Sequence, residues 1–92
     1  MGQLQYGTTQ RVELDDRLLG HIEAAIISKL RRGEAFALRL DEAGVTATVW
    51  VSTGSQLQFT YSGERPTLDR AWLEALVETA NTPSGLRLLP AP

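Results

Sequence analysis

The chain has 92 residues and contains no cysteine, one histidine and one methionine, and Lys29 is its sole lysine. The lack of cysteine excludes disulfides, thiolate catalysis and cysteine-ligated zinc, and it favours a reducing compartment. Long aliphatic runs are also missing, because the longest covers only residues 24–27, far less than a membrane span requires. We therefore expect a cytoplasmic protein with no membrane partner.

Excess charge of one sign is missing as well, since the formal net charge is only −2. This balance excludes a general binder of polyanions, so any contact with nucleic acid would have to be local. The length is sufficient for one hydrophobic core without metal or disulfide support. We predict that residues 1–92 form a single small domain in which residues 90–92 are a loose tail.

Residues 15–33 have the periodicity of one long amphipathic helix. Its aliphatic side chains fall within an arc of roughly 140° at 100° per residue: Leu18, Leu19, Ile22, Ala25, Ile26 and Leu30. Asp15 is placed to cap the first turn, and Gly33 can adopt the left-handed conformation that ends a helix. Lys29 falls inside the apolar arc, and we expect its ammonium group to extend along the helix surface to solvent.

The remaining chain alternates polar and apolar residues in short segments. These segments predict strands at residues 3–6, 10–14, 34–40, 45–51, 57–61 and 86–89. Thr67 is a suitable cap for a second helix to about residue 81, with Leu68, Trp72, Leu76 and Ala80 on its inner face. The prediction is an α+β fold, a two-layer sandwich of mainly antiparallel sheet with two helices on one face, in the order β-β-α-β-β-β-α-β.

Strand pairing follows from the turns between the strands. The first two predicted strands are joined by a compact turn and should form a hairpin. The next three should form an antiparallel meander, with polar turns at residues 41–44 and 52–55. We expect the last strand to pair with the N-terminal hairpin.

Trp50 is the most informative side chain, because alternation places it on the sheet face that lacks helices. Its predicted neighbours there are polar: Arg39, Thr46, Thr48, Gln58 and Thr60. Three explanations are open for a large indole in this place. It could stack on a base or another flat ligand with Arg39 near a phosphate, it could form a homodimer interface, or the N-terminal hairpin could cover it.

The predicted first helix also carries a second candidate group, on the face opposite or beside its apolar stripe. Arg17, His21, Arg31 and Arg32 could together hold an anion such as phosphate or a carboxylate. The alternative is an ordinary solvated face, because cations near a helix C-terminus are favoured by the helix dipole. His21 has no acidic residue at triad spacing and cannot by itself define a metal site, so we expect neither a catalytic base nor a metal there.

Several short motifs resemble a group of short actinobacterial proteins of unknown function. The motifs include Tyr61-Ser62-Gly63, the Trp50 strand and the helix end from Lys29 to Arg32. The C-terminal half agrees best, through four segments: Asp69-Arg70-Ala71-Trp72, Glu74-Ala75-Leu76, Ala80-Asn81 and Gly85-Leu86-Arg87. Members of that group often carry the label ATP-dependent DNA ligase. A ligase of this kind needs a lysine that accepts the adenylyl group. That lysine belongs to a four-residue signature: lysine, any residue, aspartate, glycine. Lys29 is followed by Leu30, Arg31 and Arg32, so the sequence argues against ligase activity.

The sequence as a whole therefore predicts a non-enzymatic interaction or oligomerisation module without cofactors. Its action would depend on the open sheet face around Trp50, with a homodimer or another protein as the partner. The alternative is a nucleic-acid-associated accessory protein that uses Trp50 and nearby arginines.

Overall fold

A computed structural model of the chain describes residues 1–42 and 45–90. It contains two helices and six strands: β1 (Gly2–Tyr6), β2 (Gln10–Leu14), α1 (Asp16–Arg31), β3 (Phe36–Glu42), β4 (Val45–Val51), β5 (Leu57–Thr60), α2 (Arg70–Ala80) and β6 (Leu86–Arg87). The predicted α+β class and element order are confirmed. The predicted turn at 41–44 and tail at 90–92 fall partly outside the described residues.

Helix α1 begins and ends where its sequence predicts. The Asp15 carboxylate accepts bonds from the backbone N–H groups of Arg17 and Leu18, at 3.1 and 3.4 Å, which makes Asp15 the N-cap. At the other end Gly33 has a φ of 70°, a left-handed conformation that glycine adopts without strain. Within the described residues, neither helix has the length and apolarity needed to cross a membrane.

The strands divide between two three-stranded sheets, with the orders β2-β1-β5 and β4-β3-β6. The predicted hairpin of β1 and β2 is confirmed, and Leu4 lies opposite Val12. The predicted meander is wrong at its last strand, because β5 pairs with β1 instead of β4 and places Phe59 opposite Leu4. Alternation defines the two faces of a strand, but it does not determine the partner.

The segment between β4 and β5 explains this change of sheet. Ser52 and Ser55 close a turn through two hydrogen bonds, Ser52 N–H to Ser55 Oγ at 2.9 Å and Ser55 N–H to the Ser52 carbonyl at 3.0 Å. Just beyond it, the Gln56 carbonyl accepts a bond from the N–H of Gly7, at the end of β1. The chain therefore enters β5 beside β1.

Strand β6 also has a different partner from the predicted one. It pairs in parallel with β3, placing Leu86 opposite Leu38, and not with the N-terminal hairpin. Gly85 permits this approach, because its φ is 86° and a Cβ added there would lie 2.5 Å from the Ala37 carbonyl oxygen. The C-terminal segment is thereby held in the central part of the domain.

Helix α2 begins three residues after the predicted cap at Thr67. Asp69 is the N-cap, since its carboxylate accepts a bond from the Trp72 N–H at 2.9 Å. Leu68 therefore precedes the helix and is exposed, although the sequence placed it on the inner face. The other three predicted inner residues, Trp72, Leu76 and Ala80, are buried as expected.

The core lies between the helices and the inner faces of both sheets. It is built from aliphatic residues and two aromatic side chains: Leu4, Val12, Leu14, Leu19, Ile22, Ala25, Ile26, Phe36, Leu38, Leu40, Val51, Trp72, Leu76, Ala80 and Leu86. Within residues 1–42 and 45–90, every buried side-chain nitrogen or oxygen has a hydrogen-bond partner. The described core therefore offers a ligand no unpartnered side-chain nitrogen or oxygen, and the candidate sites lie on the surface.

Candidate functional site

Trp50 is presented outward on β4, as its strand phase predicts. Its side chain is 66% exposed, whereas the neighbouring Val51 is fully buried. Across the β3–β4 pair it lies opposite Ala37, which is too small to cover an indole. The interpretation in which the N-terminal hairpin covers Trp50 is therefore wrong. The hairpin packs in the other sheet.

Three of the predicted neighbours share the open face with Trp50. Thr48 lies opposite Arg39 and Thr46 opposite Asp41, and all four side chains are exposed. The face thus combines an indole, two hydroxyl groups and one charge of each sign. We call this set, together with Trp50, the Trp50 face.

Gln58 and Thr60 do not belong to the Trp50 face. Both are exposed on β5, which lies in the sheet with β1 and β2, and the Gln58 side-chain amide donates to the Thr60 hydroxyl at 3.3 Å. Their predicted place beside Trp50 depended on the meander of β3, β4 and β5. Since β5 belongs to the other sheet, the predicted six-residue site reduces to its β3–β4 part.

Strand β4 is the edge of its sheet, so among the residues that the structure describes one side of its backbone has no strand partner. Natural edge strands are usually protected against pairing by charges, proline, bulges or short length. β4 has seven residues and none of them is charged or proline. Its sequence is instead rich in β-branched residues, which favour strand pairing. The edge and the exposed indole together form an unprotected surface.

The second candidate group does not come together in the structure. Arg17 and Arg31 lie at opposite ends of α1, separated by about 21 Å along the helix axis. The Arg17 guanidinium lies 5.3 Å from the Trp72 ring centre, and Arg31 and Arg32 are exposed at the C-terminal end. The prediction of one anion site that includes all four residues is therefore wrong.

His21 is fully buried between α1 and the start of α2, not on the solvated face that the helical wheel predicted. Its Nδ1 lies 2.7 Å from the Arg17 carbonyl oxygen, which can only accept, so Nδ1 carries the hydrogen. Nε2 then accepts the bond from the Asp69 N–H, also at 2.7 Å. The ring packs on Trp72 with a centroid distance of 4.3 Å. With both nitrogens occupied, His21 joins the two helices.

Lys29 is also buried, although the sequence predicted that its ammonium group would reach solvent. The side chain is 5% exposed, and Nζ donates to Asn81 Oδ1 at 2.5 Å and pairs with Glu34 Oε1 at 2.9 Å. The bond and the positive charge of Lys29 lower the pKa of Glu34. Helix α2 covers this flank of α1, and Asn81 at its C-terminal end bonds the ammonium group. A charged side chain can therefore be buried at a position inside the apolar arc of α1.

A second surface feature was not found from the sequence. A cleft of about 200 Å³ lies between α1 and residues 61–68. We call it the α1 cleft, and it is lined by Gly20, Glu23, Ala24, Ile27, Tyr61, Arg65, Pro66 and Leu68. A signal for it was present, because Gly20, Glu23, Ala24 and Ile27 are spaced as one stripe of a helix.

Glu23 organises the polar side of the α1 cleft. The Tyr61 hydroxyl donates to Glu23 Oε1 at 2.5 Å, and Arg65 Nη2 lies 3.6 Å from Glu23 Oε2. Burial, together with the bond to the Glu23 carboxylate, raises the pKa of Tyr61. Tyr61 therefore stays a hydrogen-bond donor in the physiological pH range and holds the carboxylate in place.

Comparison with known protein families matches residues 1–91 to the family described as Domain of unknown function (DUF7882). The chain belongs to this family. The match includes both the Trp50 face and the α1 cleft, so each lies within the DUF7882 domain. Neither the curated proteins nor the solved structures gave a match.

The buried polar side chains of this DUF7882 domain, His21 and Lys29, are engaged within the chain. In the described part of the chain, no three histidine, aspartate or glutamate side chains are grouped so that they could hold a metal ion. The Trp50 face differs from these buried groups, because within the described residues its indole has no bonding partner and the outer edge of β4 pairs with no strand.

Proposed function

We propose that this DUF7882 domain is a non-enzymatic oligomerisation module that forms a homodimer through the edge of β4 and the Trp50 face. The single observation that carries the proposal is an indole 66% exposed on an uncharged, unpaired edge strand. Pairing would satisfy the free backbone groups of β4 and would remove apolar indole surface from water. Both effects favour contact of β4 with a second strand over contact with solvent.

A second copy of the chain fits this edge because an antiparallel strand pair can have twofold symmetry. With the axis at Thr48, the middle residue of β4, Trp50 of one copy lies opposite Thr46 of the other. Side chains opposite each other on one face of such a pair are in contact. The two open faces would then form one continuous face with two indoles.

The oligomeric state in solution tests the proposal. We expect the wild-type chain to sediment as a dimer and Thr48→Lys to sediment as a monomer, because the two new charges would face each other at the axis. Thr60→Lys is the matched control, since Thr60 is an exposed threonine on β5, an edge strand of the other sheet. A wild-type monomer, or equal loss of dimer in both variants, would contradict the proposal.

Single-stranded nucleic acid is the second candidate partner, because Trp50 and Arg39 share one open face. An indole can stack on a base while a nearby arginine contacts phosphate. Asp41 on the same face opposes this partner. Fluorescence anisotropy of a labelled oligonucleotide at low and high salt distinguishes the candidates, since nucleic-acid binding would weaken steeply with salt.

Ligase activity is not part of the proposal. The one lysine that could accept an adenylyl group, Lys29, is buried with its ammonium group bound to Glu34 and Asn81. A nucleophilic lysine needs a free amine that reaches the nucleotide. An adenylylation assay with labelled ATP is expected to give no labelled protein.

A further inference from the structure

We propose that the α1 cleft binds a small amphipathic carboxylate, with its apolar chain between α1 and residues 61–68 and its carboxylate on Arg65. This inference does not depend on the dimer, because the cleft and the Trp50 face use different elements. It assigns a ligand class to a surface on which apolar walls and an exposed arginine meet.

The apolar part of the cleft is accessible in the folded chain. Ile27 and Leu68 are 44% and 46% exposed, and both line it. Together with Met1 and Trp50 they make up the large hydrophobic side chains that are exposed among the described residues. Two such side chains at one concave site form a small apolar patch that a hydrocarbon chain can cover.

Gly20 lets Pro66 pack directly against α1, which brings the two walls of the cleft together. A Cβ added to Gly20 would lie 2.5 Å from Cγ of Pro66, so the loop can lie this close only to a glycine. Ala24, one turn later, is also small. The cleft volume of about 200 Å³ corresponds to roughly seven groups of the size of water, at about 30 Å³ each, which fits a chain of five or six carbons.

The charges at the rim favour an anion over a cation. Both carboxylate oxygens of Glu23 are already engaged, one by the Tyr61 hydroxyl and the other by Arg65, and its side chain is only 15% exposed. An incoming cation would therefore compete with Tyr61 and Arg65 for the Glu23 carboxylate.

Arg65 has most of its donors free. Its side chain is 74% exposed, and Nη2 makes a single contact of 3.6 Å with Glu23. The guanidinium is also positioned over the ring of Tyr61, at 5.8 Å from its centre. An arginine held in this way presents its remaining N–H groups as a fork that matches a carboxylate.

Titrations followed by two-dimensional ¹H–¹⁵N NMR test the proposal with three probes that share one chain length: hexanoate, hexanol and hexylamine. We expect hexanoate to bind most tightly, with a dissociation constant on the order of millimolar. The amide shifts should be concentrated at Gly20, Ala24, Ile27 and Leu68. Hexanol should bind more weakly, and hexylamine most weakly.

Two arginine variants separate the head-group contact from general effects of charge. Arg65→Gln should weaken hexanoate about threefold, the scale of an exposed charge contact, and leave hexanol unchanged. Arg70→Gln is the matched control, because Arg70 is an exposed arginine outside the cleft. Equal weakening by both variants, hexylamine binding as tightly as hexanoate, or shifts elsewhere would overturn the proposal. Thr48→Lys should bind hexanoate like the wild type, so this test is separate from that of the dimer.

Discussion

The two tryptophans of this domain lie in opposite surroundings. Trp72 is 5% exposed, its indole N–H donates to the Leu89 carbonyl at 3.2 Å, and its ring contacts His21 and Arg17. Trp50 is 66% exposed and lies on an edge strand opposite Ala37. One indole is held on every side by the chain, and the other has a free face.

The difference indicates which aromatic residue maintains the fold and which is available to a partner. Around Trp72 the polar groups are bonded to one another. His21 accepts a hydrogen bond from the Asp69 N–H, and the Asp69 carboxylate accepts one from the Trp72 N–H. Around Trp50, within the described residues, the indole has no hydrogen-bond or stacking partner and the outer edge of β4 pairs with no strand, its one contact being the Ser55 hydroxyl at 3.5 Å from the Trp50 carbonyl. We infer that substitutions at the first site change stability and that substitutions at the second change association.

The largest expected effect is the contrast between two truncations. Trp72→Ala should lower the free energy of unfolding by about 3–5 kcal/mol, because it removes a large core side chain and leaves a cavity. Trp50→Ala should change it by less than about 0.5 kcal/mol in the monomer, as expected for an exposed position. Urea unfolding at high dilution measures both values. Trp72→Phe provides a milder variant if the truncation does not fold, and similar losses at both sites would contradict the comparison.

A smaller effect is expected at the helix junction. His21→Phe keeps an aromatic ring beside Trp72 but leaves the Asp69 N–H without its acceptor. An unpaired, partly buried donor should lower the free energy of unfolding by about 1–2 kcal/mol. Thr48→Val is the control on the Trp50 face, since it removes an exposed hydroxyl group and should cost less than about 0.5 kcal/mol. If both variants lose the same stability in urea, the junction has no special role.

The smallest effect should come from acid. The Ser62 hydroxyl donates to Asp16 at 2.6 Å and lowers its pKa, and Lys29 does the same for Glu34. Because both pKa values are lower in the folded state, these contacts stabilise fully above about pH 4.5 and are lost progressively as the pH falls through the folded-state values. Thermal unfolding between pH 6 and pH 3 should show this loss.

Ser62→Ala sharpens the acid test, because it removes the hydroxyl contact to Asp16 while keeping the backbone contact at 3.4 Å, and it should flatten part of the pH dependence. Thr60→Val, two residues earlier on an exposed position, should leave it unchanged. An unaltered pH profile in Ser62→Ala would contradict the assigned role of Asp16.

The elements of the fold could be predicted from the sequence because their signals are local. Three of these signals depend on residues close in the chain: the cap at Asp15, the left-handed glycine at position 33 and the strand alternation around Trp50. The outward position of Trp50 follows from the same alternation. This part of the candidate site, with Arg39, Thr46 and Thr48, could therefore be predicted.

The rest of the candidate site required information about distant contacts. Gln58 and Thr60 were predicted beside Trp50 because consecutive strands often pair, whereas β5 crosses to β1. The α1 cleft exists because residues 61–68 lie across a stripe of α1, and Tyr61 and Glu23 are 38 residues apart. Nothing in either segment alone indicates that contact.

The sequence by itself determined the helices, the strands and the face that each turns to the core, since these depend on periodicity and capping within a few residues. The tertiary structure decided which strands pair and how far burial extends around α1. His21 and Lys29 show the reason most clearly. The helical wheel records a residue's angle, but whether a polar side chain at that angle is buried depends on α2 packing beside α1 and supplying its hydrogen-bond partners.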